Sequence, residues 1–376
     1  MPIAFLQPGD PAPWFVARTS ANARYHFDTV AGRWIVLCFF GSAGNDICRR
    51  RLSALLAEAD RYDDLHLAFF GVSIDPDDTA RLQGRVPGIR FFWDFDMAVS
   101  RLYGALAEDA DHGPRTYRAH TLILDPGLRV FACLDCADPR HDERARALIG
   151  ALPAVETHGG PPAFAPVLMV PRVFEPAFCH RLIALYEEDG GDDSGFMHEV
   201  EGKTVGVLDP GHKSRKDHEI ADAAIRAEAR GRIERHLIPE IRKAFNFHPT
   251  RMERYIVGCY DADAGGHFRP HRDNTSGGTA HRRFAVSINL NAEAFEGGEI
   301  RFPEYGPRAY KPPTGGAVVF SCSLLHEVTR VTAGRRHAFL PFLYDEPAAA
   351  LRARNNARLG DGIEPYRPDT VPKNPG

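Results

Sequence analysis

The first half of the chain alternates continuous apolar runs with helix-compatible stretches. Trp34-Ile-Val-Leu-Cys-Phe-Phe40 and Leu67-Ala-Phe-Phe-Gly-Val-Ser73 are apolar at successive rather than alternate positions, the pattern of strands buried on both faces. Helices are expected at residues 50–62 and 78–83. A third strand is expected at residues 120–124 and a paired one at 128–133, joined through the turn formers Asp125-Pro-Gly127. A β-α-β-α-β-β order of this kind implies a sheet covered by helices.

The pattern then changes. Residues 151–166 are dense in Pro and Gly and read as a linker. An amphipathic helix is expected over 175–189, with Pro176 tolerated in its first turn, and one or two helices over 217–245. From Arg254 onward short strands broken by Gly and Pro predict a β-sandwich or jelly roll. After Tyr344 comes a helix-compatible Ala/Arg stretch, and residues 363–376 are Pro-rich, polar and expected to be poorly ordered. The expected organisation is a first domain over 1–152, a linker over 153–166, a second domain over 167–346, and a C-terminal helix with a flexible tail over 347–376.

Bulk composition narrows the classes. The 376 residues suffice for two cores, and 44% hydrophobic with 26% charged is ordinary for a globular chain. A net charge of −4 without a basic block argues against a nucleic-acid partner. The N-terminus lacks a positive n-region and apolar h-region, and no run reaches the roughly 18 apolar residues of a membrane span. Seven cysteines without an export signal fit a reducing cytoplasm.

The candidate chemistry lies in the second half. His271-Arg-Asp273 sets an imidazole and a carboxylate at i and i+2, which share one side of an extended chain. His326, just past the apolar run Ala317–Phe320, supplies a second imidazole. Two histidines and one carboxylate occupy one face of a metal and leave the other open, the arrangement used by non-haem Fe(II) oxygenases.

The surrounding runs, HFRPHRDN, RRFAVSINLN, FEGGEIRFPEYG and GGAVVFSCSLLHEVTRVTAGRRHAF, resemble the prolyl-4-hydroxylase-like Fe(II)/2-oxoglutarate dioxygenases over residues 168–345. The resemblance implies that His271, Asp273 and His326 bind Fe(II). It also implies a basic residue about ten positions past His326 that grips the 2-oxoglutarate carboxylate, a place taken by Arg336. A planar guanidinium suits that task because it pairs with a carboxylate bidentately. The neighbouring Arg335 should face the other way, as a solvated charge.

Tyr260 stands where the family often has a tyrosine that hydrogen-bonds the co-substrate, though packing against the sheet is the alternative. In residues 284–291 the polar row alternating with Phe284, Val286, Ile288 and Leu290 would ordinarily face water, whereas the resemblance turns it toward the pocket, bringing in Ser287 and Asn289. Asn289 replaces a tyrosine common among relatives. His337 is expected to face away from Arg336, His281 to lie in a loop near the pocket mouth, and residues 197–218 to form a lid or an ordinary surface loop. The resemblance further implies O₂ and 2-oxoglutarate as co-substrates, ascorbate as a candidate reductant, and succinate and CO₂ as products. The primary substrate would be a prolyl or other amino-acid side chain, in a protein, a peptide or free.

In the first domain, GDPAPWF, FFGSAGNDIC and Arg118 before HTLILDPG resemble the peroxiredoxin branch of the thioredoxin fold, over residues 5–150. The peroxidatic cysteine of that family falls on Cys48 and its partner arginine on Arg118. The family's proline has become Gly41 and its threonine Asn45. A thiol at a helix N-terminus beside an arginine would have a lowered pKa, so a thiol peroxidase acting through Cys48 is the alternative function. Otherwise the domain would serve homodimerisation or substrate presentation. Cys133 and Cys136 form a Cys-x-x-Cys on a late strand, the wrong context for a thioredoxin-type pair.

Overall fold

In the computed structural model, residues 6–106 and 116–367 are described; the end of the Pro-rich tail expected to be poorly ordered lies outside them. The chain forms two compact units, Met1–Ala165 with Pro303–Pro307, and Pro166–Phe302 with Arg308–Gly376.

The first unit is a five-stranded sheet in the order Ile89–Trp93, Leu67–Ser73, Trp34–Gly41, His120–Leu124, Val130–Asp135. The three strands on one side run parallel and the last two join antiparallel. Every residue of the central Trp34–Gly41 strand is buried, which is why it reads as an unbroken apolar run. Among the elements beyond the expected order are strand Ile89–Trp93 and helix His141–Gly150. Ile89–Trp93 carries a charge mid-strand, and Arg90 is neutralised there by two hydrogen bonds to Asp64 at 2.7 and 2.6 Å. Helix His141–Gly150 packs against the same core. The helix expected at 50–62 begins earlier, at Asp46, because Asn45 caps it by accepting from the Ile47 and Cys48 backbone N–H groups. It ends at Leu56. The helix expected at 78–83 is a single turn, Asp78–Arg81, and the strand expected at 128–133 is displaced to Val130–Asp135.

The second unit is a double-stranded β-helix, or jelly roll, with flanking helices. Its larger sheet includes, in order, Arg251–Glu253, Phe342–Tyr344, Phe284–Asn289, Val331–Phe339, Ile256–Asp261 and Lys216–Glu219. The smaller sheet runs Lys213–Ser214, His267–His271, His326–Val328, Ile300–Arg301, Ala309–Tyr310. Helices Pro176–Asp189, Ala223–His236 and Ile238–Phe245 cover the larger sheet, burying Val286, Ile288 and Leu290 of the alternating strand against Leu182, Ile233 and Ile241. The stretch 217–245 therefore holds two helices, preceded by a strand at Lys216–Glu219. Residues 197–218 are built mainly of a hairpin, Phe196–Val200 with Lys203–Val207, and the short strand Lys213–Ser214.

His281 is not a pocket-mouth residue. It is buried, and its Nε2 lies 3.0 Å from Glu253, which also accepts from Arg282 Nε at 2.7 Å and pairs with Arg352 Nη2 at 2.6 Å. Burial raises the Glu253 carboxyl, but the Arg282 and Arg352 guanidinium groups and the His281 hydrogen bond outweigh it and hold the carboxyl well below its ordinary range. This cluster joins the edge strand Arg251–Glu253 to the C-terminal helix Glu346–Arg354. Removing its carboxylate charge strands two guanidinium groups. Glu253→Gln is therefore expected to cost about 3–5 kcal/mol in chemical denaturation; a loss below roughly 1 kcal/mol, the size of an ordinary substitution, would refute the assignment. Because the folded pKa is depressed, this stabilisation is present above the unfolded glutamate value of about 4.3 and is lost as pH falls through the folded one.

Candidate metal and co-substrate site

His271 ends one strand of the smaller sheet and His326 begins its neighbour, and the two are direct partners across the antiparallel pair. The register slips between Phe268 and His271, where Pro270 has no N–H to give the ladder. Such an irregularity re-aims the residues after it. Asp273 lies in the turn that follows, its N–H donating to the Cys322 carbonyl at 2.9 Å.

The three side chains converge. His271 Nε2 is 3.7 Å from one Asp273 oxygen and His326 Nε2 is 3.4 Å from the other. One ligand atom from each lies within 4.8 Å of the others. Both rings are oriented the same way: His271 Nδ1 faces the Arg269 carbonyl at 2.7 Å, and His326 Nδ1 faces the Leu324 carbonyl at 3.0 Å. A carbonyl only accepts, so each Nδ1 carries the proton and each Nε2 presents its lone pair to the cluster. Burial and the neighbouring His326 push His271 well below its ordinary pKa, keeping it neutral. Phe268 stacks on His271 with centroids 3.5 Å apart, and Phe320 lies 4.5 Å from His326. The donor set and its tautomers fit a divalent metal with an open face.

Arg336 lies in Val331–Phe339, opposite Tyr260, and is buried. Its Nη2 donates to Ser287 Oγ at 2.7 Å and its Nε to Asn289 Oδ1 at 3.3 Å. The guanidinium carbon sits 5.2 Å from the Tyr260 ring centroid. Nη1, also buried, has no hydrogen-bond partner. Burial lowers the Arg336 pKa, with Tyr260 opposing. A buried guanidinium with an orphan donor fits a carboxylate-bearing ligand. Gly298, at φ 66°, leaves room for this side chain: a Cβ there would lie 3.2 Å from Arg336 Cδ and 2.8 Å from Val331.

The other expected residues distribute as follows. Ser287 and Asn289 are buried and serve Arg336, Asn289 also donating to the Pro312 carbonyl at 2.8 Å. The Tyr260 hydroxyl accepts from Arg215 Nη1 at 3.2 Å. Arg335 is exposed and pairs with Glu187 at 3.1 Å. His337 points away from the Arg336 side chain, its Nε2 3.3 Å from Glu187.

Arg215, Asp217 and Lys213 were not singled out by sequence. Arg215 Nε meets Asp217 at 2.6 Å, and Lys213 Nζ donates to Ser194 Oγ and the Gly195 carbonyl, both at 2.6 Å. Their signal was the i, i+2, i+4 spacing of three charges in Lys-Ser-Arg-Lys-Asp, one face of an extended chain.

The thiol site departs from expectation. Cys48 lies in the first turn of Asp46–Leu56, yet burial raises its pKa against the lowering effect of the Ser42 and Cys48 backbone N–H groups. Arg118 is exposed, and its charge lowers the pKa values of Cys133 and His120. Asn45 spends its side-chain oxygen on capping.

Two family models match the chain. Residues 255–344 match the 2OG-Fe(II) oxygenase superfamily, and residues 8–130 match the AhpC/TSA family. The two matches follow one another along the chain, a segment similar to the AhpC/TSA family preceding one similar to the 2OG-Fe(II) oxygenase superfamily.

PKHD-type hydroxylases of two Synechococcus strains are each 29% identical over 96 residues, covering 24% of this chain and 42% of the relative. The chain thus spans less than half the length of these curated relatives. Among solved structures, a Trichoplax adhaerens prolyl hydroxylase in complex with a hypoxia inducible factor peptide is similar. It shows 18% identity and a TM-score of 0.39, covering 50% of this chain and 86% of that one. A Pseudomonas putida prolyl-4-hydroxylase shows 16% identity and a TM-score of 0.37 over 48% and 94%. A Mycobacterium tuberculosis peroxidoxin shows 15% identity and a TM-score of 0.33 over 40% and 99%. Among the described residues no helix is long and apolar enough to cross a membrane.

His271→Ala is expected to abolish Mn(II) binding measured by electron paramagnetic resonance, with the fold intact by circular dichroism. Unchanged Mn(II) affinity would remove these residues from the metal site. In Arg336→Gln, 2-oxoglutarate affinity should fall by about 2 kcal/mol or more, roughly thirtyfold, while Mn(II) affinity holds.

Proposed function

We propose that this chain is an Fe(II)- and 2-oxoglutarate-dependent dioxygenase that hydroxylates an amino-acid side chain, prolyl or other. Its substrate would be presented in a protein, a peptide or free form, and succinate and CO₂ would be released. The observation that carries the reading is the convergence of His271 Nε2, His326 Nε2 and an Asp273 oxygen, with both imidazole protons tied to carbonyls on the far side. The buried Arg336, with an uncommitted Nη1, supports the co-substrate assignment. So does the family match over residues 255–344.

Bound Fe(II), with O₂ and 2-oxoglutarate, supplies the oxidative decarboxylation that powers oxygen insertion into a C–H bond. The protein's part is positional. His271, Asp273 and His326 hold one face of the metal and leave the other free. Arg336 receives the distal carboxylate of 2-oxoglutarate, its direction fixed by Ser287 and Asn289. Phe268 and Phe320 keep water from the ligand imidazoles. Ascorbate is the proposed reductant, and the cytoplasm the proposed compartment.

Purified protein supplied with Fe(II), O₂ and 2-oxoglutarate should form succinate, and His271→Ala should not. Mass spectrometry of peptide and amino-acid mixtures should reveal a +O product. Failure to turn over 2-oxoglutarate with any such mixture would defeat the proposal. Cys48→Ser should leave succinate formation unchanged, and peroxide consumption that vanished in that variant would instead favour a thiol peroxidase.

A further inference from the structure

Arg215 stands where the chain leaves one sheet for the other. The strand before it, Lys213–Ser214, pairs with His267–His271 in the smaller sheet. The strand after it, Lys216–Glu219, pairs with Ile256–Asp261 in the larger, with Lys216 opposite Cys259. The crossover thereby brings Arg215 beside Tyr260, the next residue along that strand. Arg215 is buried, and burial opposes its charge, but Asp217 and Tyr260 outweigh burial and raise its pKa.

The guanidinium is clamped. Its Nε meets one Asp217 oxygen at 2.6 Å and its Nη2 the other at 2.7 Å, a bidentate pairing that fixes the plane of the fork. Asp217 also takes Arg254 at 3.2 Å, and Nη2 reaches Ser194 Oγ at 3.2 Å. That leaves Nη1, which donates to the Tyr260 hydroxyl oxygen at 3.2 Å.

The consequence falls on Tyr260. A phenol has one hydrogen to donate, and an oxygen that accepts from a guanidinium must turn that hydrogen elsewhere. The Arg215 contact is the hydroxyl's one hydrogen bond among the described residues, so its O–H is buried without an acceptor there. Tyr260 is the direct cross-strand partner of Arg336, so the two side chains leave the larger sheet on the same face. Arg336 holds a second uncommitted donor in Nη1. Two buried donors lacking acceptors thus belong to paired residues, and a carboxylate has an oxygen for each.

We propose that Arg215 is a positioning residue for the co-substrate, directing the Tyr260 O–H toward the carboxylate that Arg336 receives. The proposal rests on the dioxygenase reading, which commits Arg336 to 2-oxoglutarate. Asp217 contributes by fixing Arg215, and the phenol is the group that touches the ligand. A lysine could balance Asp217, but only a planar fork meets the carboxylate and the phenol at once.

The test titrates 2-oxoglutarate calorimetrically into the full chain loaded with Mn(II), in the absence of oxygen. Tyr260→Phe should weaken binding about tenfold, the effect of one lost hydrogen bond to a charged group. Arg215→Lys, which keeps the charge but not the fork, should weaken it severalfold. In the double variant the loss should be no greater than in Tyr260→Phe alone, because Arg215 acts through the phenol. Mn(II) affinity should hold in all three. Asp217→Asn, which loosens the clamp, should show a smaller loss with the same dependence on Tyr260, and decides the question if Arg215→Lys does not fold. In wild type, 2-oxoglutarate should shift one tyrosine C–O stretch in the infrared difference spectrum, a band that Tyr260→Phe lacks.

The proposal is overturned if Tyr260→Phe or a folded Arg215→Lys binds 2-oxoglutarate as wild type does, or if no tyrosine band moves. It also fails if the two losses multiply in the double variant, which would make Arg215 part of the scaffold alone. A wild type that binds neither Mn(II) nor 2-oxoglutarate would bring down the dioxygenase reading as well, and the first titration reports that separately.

Discussion

Two imidazoles face each other across one antiparallel pair, and each is turned by a carbonyl two residues earlier in its own strand. That arrangement fixes which nitrogen carries the proton without any second side chain. The backbone itself is the outer shell that a metal-binding histidine needs. It also explains why the register slips just before His271: without the irregularity at Pro270 the ring, the following turn and Asp273 would be aimed elsewhere. The rest of the second unit can be understood as scaffolding for this pair. The larger sheet and its helices supply a rigid base, and the smaller sheet carries the ligands.

The second constraint is electrostatic. Jelly-roll interiors are apolar, yet this one buries a line of cations at Lys213, Arg215 and Arg336. Each is treated differently. Arg215 shares the Asp217 carboxylate with Arg254, Arg336 has two neutral acceptors and an orphan N–H, and Lys213 has two neutral acceptors and the face of Phe268. Of the three, only Arg336 keeps a buried N–H without a partner, and such a donor is where a ligand can pair. Glu253 shows the converse within the same domain: one carboxylate serves Arg282, Arg352 and His281, and that cluster holds the C-terminal helix. The same pairing rule thus separates scaffold from site.

Much of this was legible in the sequence, for identifiable reasons. Strands buried on both faces announce themselves as unbroken apolar runs, so Trp34–Gly41 and Leu67–Ser73 were plain. Ile89–Trp93 was not, because Arg90 interrupts it and its partner Asp64 is distant in sequence. The ligand triad was visible because its chemistry demands residue types that cannot be exchanged. Adjacent strand residues face opposite ways, so only one of Arg335 and Arg336 could point inward, and it was the family spacing that pointed to Arg336. Arg215 and Lys213 were missed because a polar stretch with glycine reads as a loop until its partner strands are known. His281 was misplaced because a histidine in a glycine-rich segment looks exposed, while the carboxylate that buries it lies 28 residues away.

The first domain completes the reasoning by contrast. Its sheet has the thioredoxin-fold order, and Cys48 stands in the first turn of the helix after the central strand. The Asn45 side chain caps the helix that carries the cysteine, and Arg118 bears on Cys133 and His120. Burial raises the thiol against the lowering effect of the backbone N–H groups at the helix N-terminus. A fold persists where its packing is selected for, and chemistry persists only where particular atoms stay in reach of one another. Around His271, Asp273 and His326 those atoms converge; beside Cys48 the Asn45 side chain is given to the helix cap.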